Sequence, residues 1–373
     1  MTDIRAMIAN PEKDADIYWR TGFLAPDPLI YVETGNSGTL IVSDLELGRA
    51  RETARVDSVV AMAPYREKLR ESLIGVPTLA DILHAYLQDA GAAEAPLTMP
   101  GATPARLVDR LRALGHPVAL GDSPFWAERR HKTAWEIEQM AEAMRQTERV
   151  LDMARSMIRG ASVRDGVLYT DGEMLTSERV RGFIQIELLK AGYAGAPPIV
   201  SCGDQATLPH EHGHGPLRTG ETIILDVFPL SQQTRYGADT TRTVVHGVPS
   251  AEVVKMHRAV ADAVTAVLTH MKAGVDGRDL HQRVLDIFES RGFRTETVDG
   301  KPQGFIHGTG HGLGLDIHET PRISKESQIL EEGDVVTVEP GLYYPGIGGV
   351  RIEDVAVVTA GGYRNLCSLN WDL

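Results

Sequence analysis

The chain has 373 residues, 42% hydrophobic and 24% charged, with a formal net charge of -13 at neutral pH. This length exceeds one ordinary core and points to two domains, and the acidic balance argues against nucleic acid and anionic membrane as partners. No stretch approaches the roughly 18 apolar residues of a membrane span, no basic-then-apolar leader opens the chain, and Cys202 and Cys367 form no CxxC pair, a pattern that fits a soluble cytoplasmic protein.

The first part, to about residue 125, reads as alternating strands and helices. Residues 29–32 and 39–42 are strand candidates, linked through the turn-rich Gly35-Asn36-Ser37-Gly38. Residues 117–122 read as a short buried strand entering a loop. No motif with chemistry stands here, and the region is expected to be a small α/β domain ending between Pro124 and Lys132.

A strong helix follows. Thr133 with Glu136 three positions later is a capping-box pattern. Ile137, Met140, Met144, Thr147, Leu151, Ala154 and Ile158 recur at helical spacing before Gly160. Further helices are expected over 177–190, from Ser250 to Met271, and over 278–290.

An internal repeat lies among these helices. Gly220-Glu221-Thr222-Ile223-Ile224-Leu225-Asp226 resembles Gly333-Asp334-Val335-Val336-Thr337-Val338-Glu339, with a carboxylate six positions after each glycine. A second carboxylate follows each first, Asp239 after 13 positions and Glu353 after 14. Acids at the ends of apolar strands are costly to bury unless something positive neutralises them. Asp226, Asp239, Glu339 and Glu353 with the imidazole of His311 would be neutralised by two divalent cations, which can share and activate a water molecule. The oxygen and imidazole donors suit Mn, Fe, Co or Zn over copper.

Histidines flank these acids. His307, His311 and His318 fall in a run with four glycines between His307 and Leu315, which rules out a regular helix. One would ligate metal while others polarise a carbonyl or shuttle protons. His210 lies in a second histidine-rich loop and is placed to reach the same cleft. Arg351, two residues before Glu353, either neutralises excess acid or binds a substrate carboxylate. Tyr343 and Tyr344 read equally as pocket lining or as core.

Taken together, the stretches LDVFP, GADTTRT, HGTGHGLGLDIHE, VEPGLYY and GVRIED closely resemble the pita-bread metallopeptidases, in particular the Xaa-Pro peptidases aminopeptidase P and prolidase. The stretch from Arg129 to Met140 resembles the start of that family's catalytic domain, and Tyr18 to Pro28 its N-terminal domain. The resemblance implies a creatinase/prolidase-like α/β domain over 1–128 and a pita-bread catalytic domain with pseudo-twofold symmetry over 129–373. It implies that Asp226, Asp239, His311, Glu339 and Glu353 bind two divalent ions, with Asp239 and Glu353 bridging. Manganese is the first choice, with zinc or cobalt as alternatives. Glu339 would also accept a proton from the nucleophile, a metal-bridging hydroxide. His210 and His318 match catalytic histidines that assist the tetrahedral intermediate, and His307 and Arg351 match positions lining the substrate pocket. The implied substrate is a small peptide with proline after the scissile bond, as a dipeptide or a longer chain, and the implied assembly is a homodimer. All five ligand positions are filled, which sets the chain apart from the metal-free creatinase branch.

The chain departs from the family in two places. Residues 227–238 and 162–177 are longer than the family pattern, and both are expected to reshape the pocket walls. Two rivals follow. The same metal site serves hydrolases of non-peptide amides and a lyase of small sulfonium compounds, and the scaffold also serves non-catalytic binding proteins, which often lose ligands.

Overall fold

In the computed structural model, which describes residues 4–70 and 76–373, the chain divides into two units, Met1–Arg129 and Arg130–Leu373. The first is built on one mixed sheet of six strands, ordered Ser58–Ala61, Ser37–Val42, Leu29–Thr34, Ile4–Ala9, Leu97–Pro100 and Val118–Gly121. Successive side chains along a strand point to opposite faces, and both faces here are apolar. Ile4, Ala6, Ile8, Ile30, Val32 and Ile41 pack on one side with the helices Leu79–Asp89 and Ala105–Ala113. Met7, Leu29, Tyr31, Leu40 and Val42 pack on the other with Ala15–Thr21 and Leu47–Thr53. The expected strand at 117–122 is present as Val118–Gly121, but it is not buried. It closes one edge of the sheet, and Leu120 is 51% exposed.

The second unit follows the sequence closely in its helices. Thr133 and Glu136 form the reciprocal capping box that opens Ala134–Arg159, and Gly160 ends it. Ser177–Lys190, Ala251–His270 and Gly277–Ser290 follow, each opened by a side-chain cap from Thr176, Ser250 or Asp276. Each half of the unit runs long helix, shorter helix, antiparallel strands. In the first half the strands are Ile199–Cys202, Thr222–Val227 and Thr240–Val245. In the second, Gly310–Gly312, Val335–Val338 and Asp354–Val358 stand in the same order, extended by an outer strand on each side. The halves are sewn together where the Glu353 N–H donates to the Thr241 carbonyl (3.1 Å) and the Arg351 N–H to Thr243 Oγ1 (3.0 Å). This is the pita-bread arrangement, and the acid-bearing strands lie at its centre.

The repeat is looser than its spacing suggests. Asp226 stands opposite Thr241, whereas Val338 stands opposite Asp354, so Glu339 lies beside Glu353. By register, Glu353 therefore matches Thr241, and Asp239 matches Arg351. The two second acids are not equivalent.

Of the two long segments, one forms an exposed three-stranded meander, Ser162–Arg164, Val167–Thr170 and Glu173–Met174. The other, 227–238, is a hairpin whose strand Leu230–Ser231 pairs with Tyr193–Ala194.

Candidate metal centre

Each acid is carried to the same cavity by a buried strand. Asp226 sits one residue from the end of Thr222–Val227, Asp239 just before Thr240–Val245, Glu339 just after Val335–Val338, and Glu353 just before Asp354–Val358. His311 is the middle residue of Gly310–Gly312. Its glycines are required by close approach: a Cβ on Gly310 would stand 1.9 Å from the Thr337 carbonyl oxygen, and one on Gly312 2.4 Å from that of Thr320. The backbone thus lies flat between its neighbours and delivers the imidazole inward. All five side chains line one cavity of about 740 Å3, joined there by His210, His307, His318 and Arg351.

Among the described residues, Asp239, His311 and Glu353 offer ligand atoms all within 4.8 Å of one another. His311 Nδ1 donates to the Gly312 carbonyl (3.0 Å), which fixes the tautomer and leaves the Nε2 lone pair facing the acids. Nε2 lies 3.7 Å from Asp239 Oδ2 and 3.3 Å from Glu339 Oε1. Glu353 Oε2 accepts from Thr241 Oγ1 (2.7 Å). Asp226 stands apart from this group in its partner: its Oδ2 accepts from Arg351 Nη2 (2.7 Å), while its Oδ1 is buried with no hydrogen-bond partner.

Burial and mutual repulsion mark the cluster electrostatically. Burial, then the charges of Glu353, Asp226 and Glu339, raise the Asp239 pKa well above the carboxylate range. Burial, then Glu339 and Asp226, do the same to Glu353. Burial pushes Glu339 up to about 7, against the pull of Arg351. Burial works against the Arg351 cation, but Tyr343 and Asp226 beside it more than offset that and raise its pKa. One arginine against four acids leaves the site strongly acidic.

The flanking histidines divide by setting. His307 donates from Nδ1 to the Gly308 carbonyl and accepts at Nε2 from the Tyr343 hydroxyl (2.8 Å), which in turn accepts from Arg351 Nη1 (2.9 Å). Burial and Arg351 lower its pKa to about 3, so it is neutral. Tyr343 is fully buried beneath this network. His318 and His210 instead present exposed rings to the cavity. His318 packs edge-on against His311 with ring centroids 4.5 Å apart, and burial, His311 and Arg322 lower its pKa to about 4.

The segment bearing His318 is held by an ion pair. Glu319 Oε1 accepts from the Leu315 and Asp316 N–H groups (both 3.1 Å), while its Oε2 meets Lys132 Nζ (2.7 Å) with both side chains almost fully buried. Nearby, Arg130 grips Asp334 at the head of the Glu339 strand (2.7 Å).

One feature of the cavity, Arg322, escapes the sequence reading, and another meets its expectation for residues 227–238. Arg322 lines it four residues after His318, opposite His311 in register. Among the described residues no carboxylate pairs with its guanidinium, whereas Arg351 spends its donors on Asp226, Tyr343, Thr241 and the Pro209 carbonyl. Only the alternation of buried and exposed residues along Glu319–Ile323 hints at its direction. Phe228 and Leu230, from the long hairpin, also line the cavity. The 162–177 segment contributes none of the lining residues, contrary to expectation.

The sequence pattern of metallopeptidase family M24 matches residues 138–360, most of the chain and all of this site. The chain belongs to metallopeptidase family M24. Curated relatives include an uncharacterized peptidase, YqhT, of Bacillus subtilis, 38% identical over 170 residues, which are 45% of this chain and 45% of that protein. They also include an Xaa-Pro dipeptidase of Pyrococcus furiosus, 33% identical over 177 residues, 47% of this chain and 48% of that one. The matched stretch thus spans about half the length of these M24 relatives. Among solved structures, an Xaa-Pro dipeptidase from Bacillus anthracis aligns with a TM-score of 0.81 at 23% identity, covering 100% of this chain and 95% of the other. An X-Pro aminopeptidase from Thermotoga maritima gives 0.80 at 24% identity, covering 99% and 98%. At these identities the likeness establishes the M24 fold.

Proposed function

We propose that the chain is a divalent-metal peptidase that hydrolyses the peptide bond preceding proline in small peptides. One observation carries the metal part of this reading. Asp239, Glu353, Glu339 and the His311 Nε2 lone pair face one another, and among the described residues no lysine or arginine pairs with these three acids, while Asp226 keeps one buried oxygen unpartnered. Lone pairs that close repel unless a positive charge lies between them, and a buried unpaired carboxylate oxygen costs free energy. Four ionised acids against Arg351 leave a formal charge of -3, which two dications with one hydroxide would balance. The oxygen and imidazole donors, with no sulfur among them, suit manganese, zinc or cobalt over copper, with manganese first. Asp226, Asp239, His311, Glu339 and Glu353 would hold the ions. When bound, such a pair acidifies water and polarises the scissile carbonyl.

The chain's own groups would do the rest. Glu339, at about 7 before metal binds, is suited to take up a proton at its carboxylate near neutral pH. His318 is neutral at that pH, and its ring N–H would donate to the carbonyl oxygen as negative charge develops there. His210, on the same cavity, would serve the leaving nitrogen. Arg322, unpaired by any carboxylate, would take a free α-carboxylate, which favours a dipeptide. His307 and Arg351 would line the pocket and hold Asp226 in place.

The remaining parts of the reading rest on the resemblance. They are a creatinase/prolidase-like N-terminal domain, a homodimer, and a cytoplasmic location, to which two free cysteines are suited. Manganese-loaded protein is expected to bind two ions per chain by elemental analysis and to cleave Xaa-Pro dipeptides, with Xaa-Pro-Yaa tripeptides as the comparison. A two-metal protein inert to a broad panel of both refutes the reading.

A further inference from the structure

The cavity divides by chemistry. The acids, Arg351 and the histidines occupy one part of its wall. Ile199, Phe228, Leu230, Leu315 and Ile317 make the rest apolar. Ile199 opens the strand Ile199–Cys202 opposite Asp226, and Phe228 and Leu230 sit on the 228–237 hairpin.

That hairpin is fastened at several points. The Ser231 N–H donates to the Tyr236 carbonyl (3.1 Å) and the Ala238 N–H to that of Pro229 (3.0 Å), which closes it. Leu230 pairs with Ala194 on the neighbouring strand. The Gly237 N–H donates to the Gly314 carbonyl (3.0 Å), tying the hairpin to the segment that carries His318. Tyr236 meets Glu136 through its hydroxyl and packs edge-on against Trp135 with centroids 5.8 Å apart. Gly237 leaves no spare room beneath, since a Cβ there would stand 2.9 Å from Leu230 Cδ2. Leu230 is only half-buried, and its remaining surface faces the cavity, as does that of Phe228.

From this geometry we infer that the 228–237 hairpin selects the residue preceding proline, with Leu230, backed by Phe228 and Ile199, receiving an apolar side chain. The inference rests on the Xaa-Pro reading and deepens it. A hairpin held at four places cannot swing away from a large side chain or close over a small one, so the volume at position 230 passes directly to the substrate. An apolar wall of this kind discriminates between side chains on the order of tenfold or more and offers nothing to a charged one.

The test compares kcat/KM of manganese-loaded protein on Ala-Pro, Leu-Pro, Phe-Pro and Asp-Pro. Wild type is expected to favour Leu-Pro over Asp-Pro by at least about tenfold. Leu230→Ala is expected to shift the ratio of Phe-Pro to Leu-Pro upward, and Leu230→Trp to shift the ratio of Ala-Pro to Leu-Pro upward. Circular dichroism and thermal unfolding of both variants guard against loss of fold, and kcat/KM ratios between substrates are independent of the fraction of active protein. Parallel profiles in an active wild type and its variants, or a preference for Asp-Pro, overturn the inference alone. A wild type that cleaves none of the four overturns the Xaa-Pro reading and this inference together.

Discussion

The two sides of the seam between the halves of the second unit carry two acidic clusters with opposite solutions. On the cavity side, Thr241 and Glu353 belong to a group in which Asp239, Glu339 and Glu353 pair with no lysine or arginine among the described residues. On the reverse side, the next residues along, Arg242 and Asp354, form a buried ion pair (2.8 Å), and Arg242 also holds the Thr241 and Glu353 carbonyls (2.9 and 2.6 Å). Glu148 beside it accepts from the Ser368 and Leu369 N–H groups (both 2.8 Å). Asp334 and Glu319 likewise have Arg130 and Lys132. At Asp354, Asp334 and Glu319 this unit supplies a cation to a buried acid. Where it withholds one, the charge is left for an ion from outside.

The sharpest way to break the comparison is to remove one acid from each face. Asp239→Asn should abolish binding of at least one metal ion and cut kcat by on the order of a thousandfold, the equivalent of several kcal/mol of lost charge stabilisation. Elemental analysis and steady-state rates check it. Asp354→Asn should leave metal content unchanged, and equal metal loss in the two variants would erase the distinction. Next in size is Arg242→Met, which strands Asp354 without a counter-charge. It should destabilise the protein by about 3–5 kcal/mol in urea unfolding, while Arg242→Met combined with Asp354→Leu should recover much of that.

A smaller effect is expected at the unpaired cation of the cavity. Arg322→Gln should raise KM for dipeptides by about ten- to a hundredfold, as for loss of a charge-assisted hydrogen bond. The same change should cost little on substrates whose C-terminal carboxylate is amidated. Equal losses on both would remove Arg322 from carboxylate recognition.

The last prediction concerns pH. Burial raises Asp239 and Glu353 well above the usual carboxylate range and Glu339 to about 7. The metal-free folded chain thus keeps protons that the unfolded chain releases near pH 4, so it binds more protons than the unfolded state in between. The contribution of these three acids to stability should be greatest at the acidic end and fall as pH rises through about 7, while His307 and His318, whose pKa values burial lowers, contribute in the opposite direction below the usual histidine range. Metal loading requires the deprotonated acids, so it should flatten or reverse that trend. The difference in melting temperature between chelated wild type and chelated Glu339→Gln at pH 5 and 7.5 isolates the share of the acid, and manganese loading is compared at the same two values; a difference that does not change with pH contradicts the charge assignment.

What the sequence disclosed was mostly local. The Thr133–Glu136 capping box and the Gly160 stop are short-range chemistry, and the helix they bound lies where the spacing puts it. Acids closing apolar strands were equally visible, because burying a carboxylate is expensive wherever it occurs. Register was not visible. Counting 13 and 14 positions suggested that Asp239 and Glu353 were matched, but the hairpin at 228–237 takes up residues that the count cannot assign, and strand pairing matches Asp239 to Arg351 instead. Arg322 was hidden for a related reason. Its neighbour His311 lies across a strand pair, and nothing along the chain announces that crossing. The strand Val118–Gly121 has the composition of a buried element, yet it has no neighbour on one side, and its exposure follows from that.

The pairing of Arg130 with Asp334 and Lys132 with Glu319 also sets a limit on trimming the protein. Both cations precede the long helix that opens at Ala134, at the very margin of the second unit. A shortened version begun at that helix would strip the counter-charges from two sealed carboxylates, one beneath the His318 segment and one at the root of the Glu339 strand. Any attempt to express this half alone should therefore start upstream of residue 130, or its centre will be distorted from a distance.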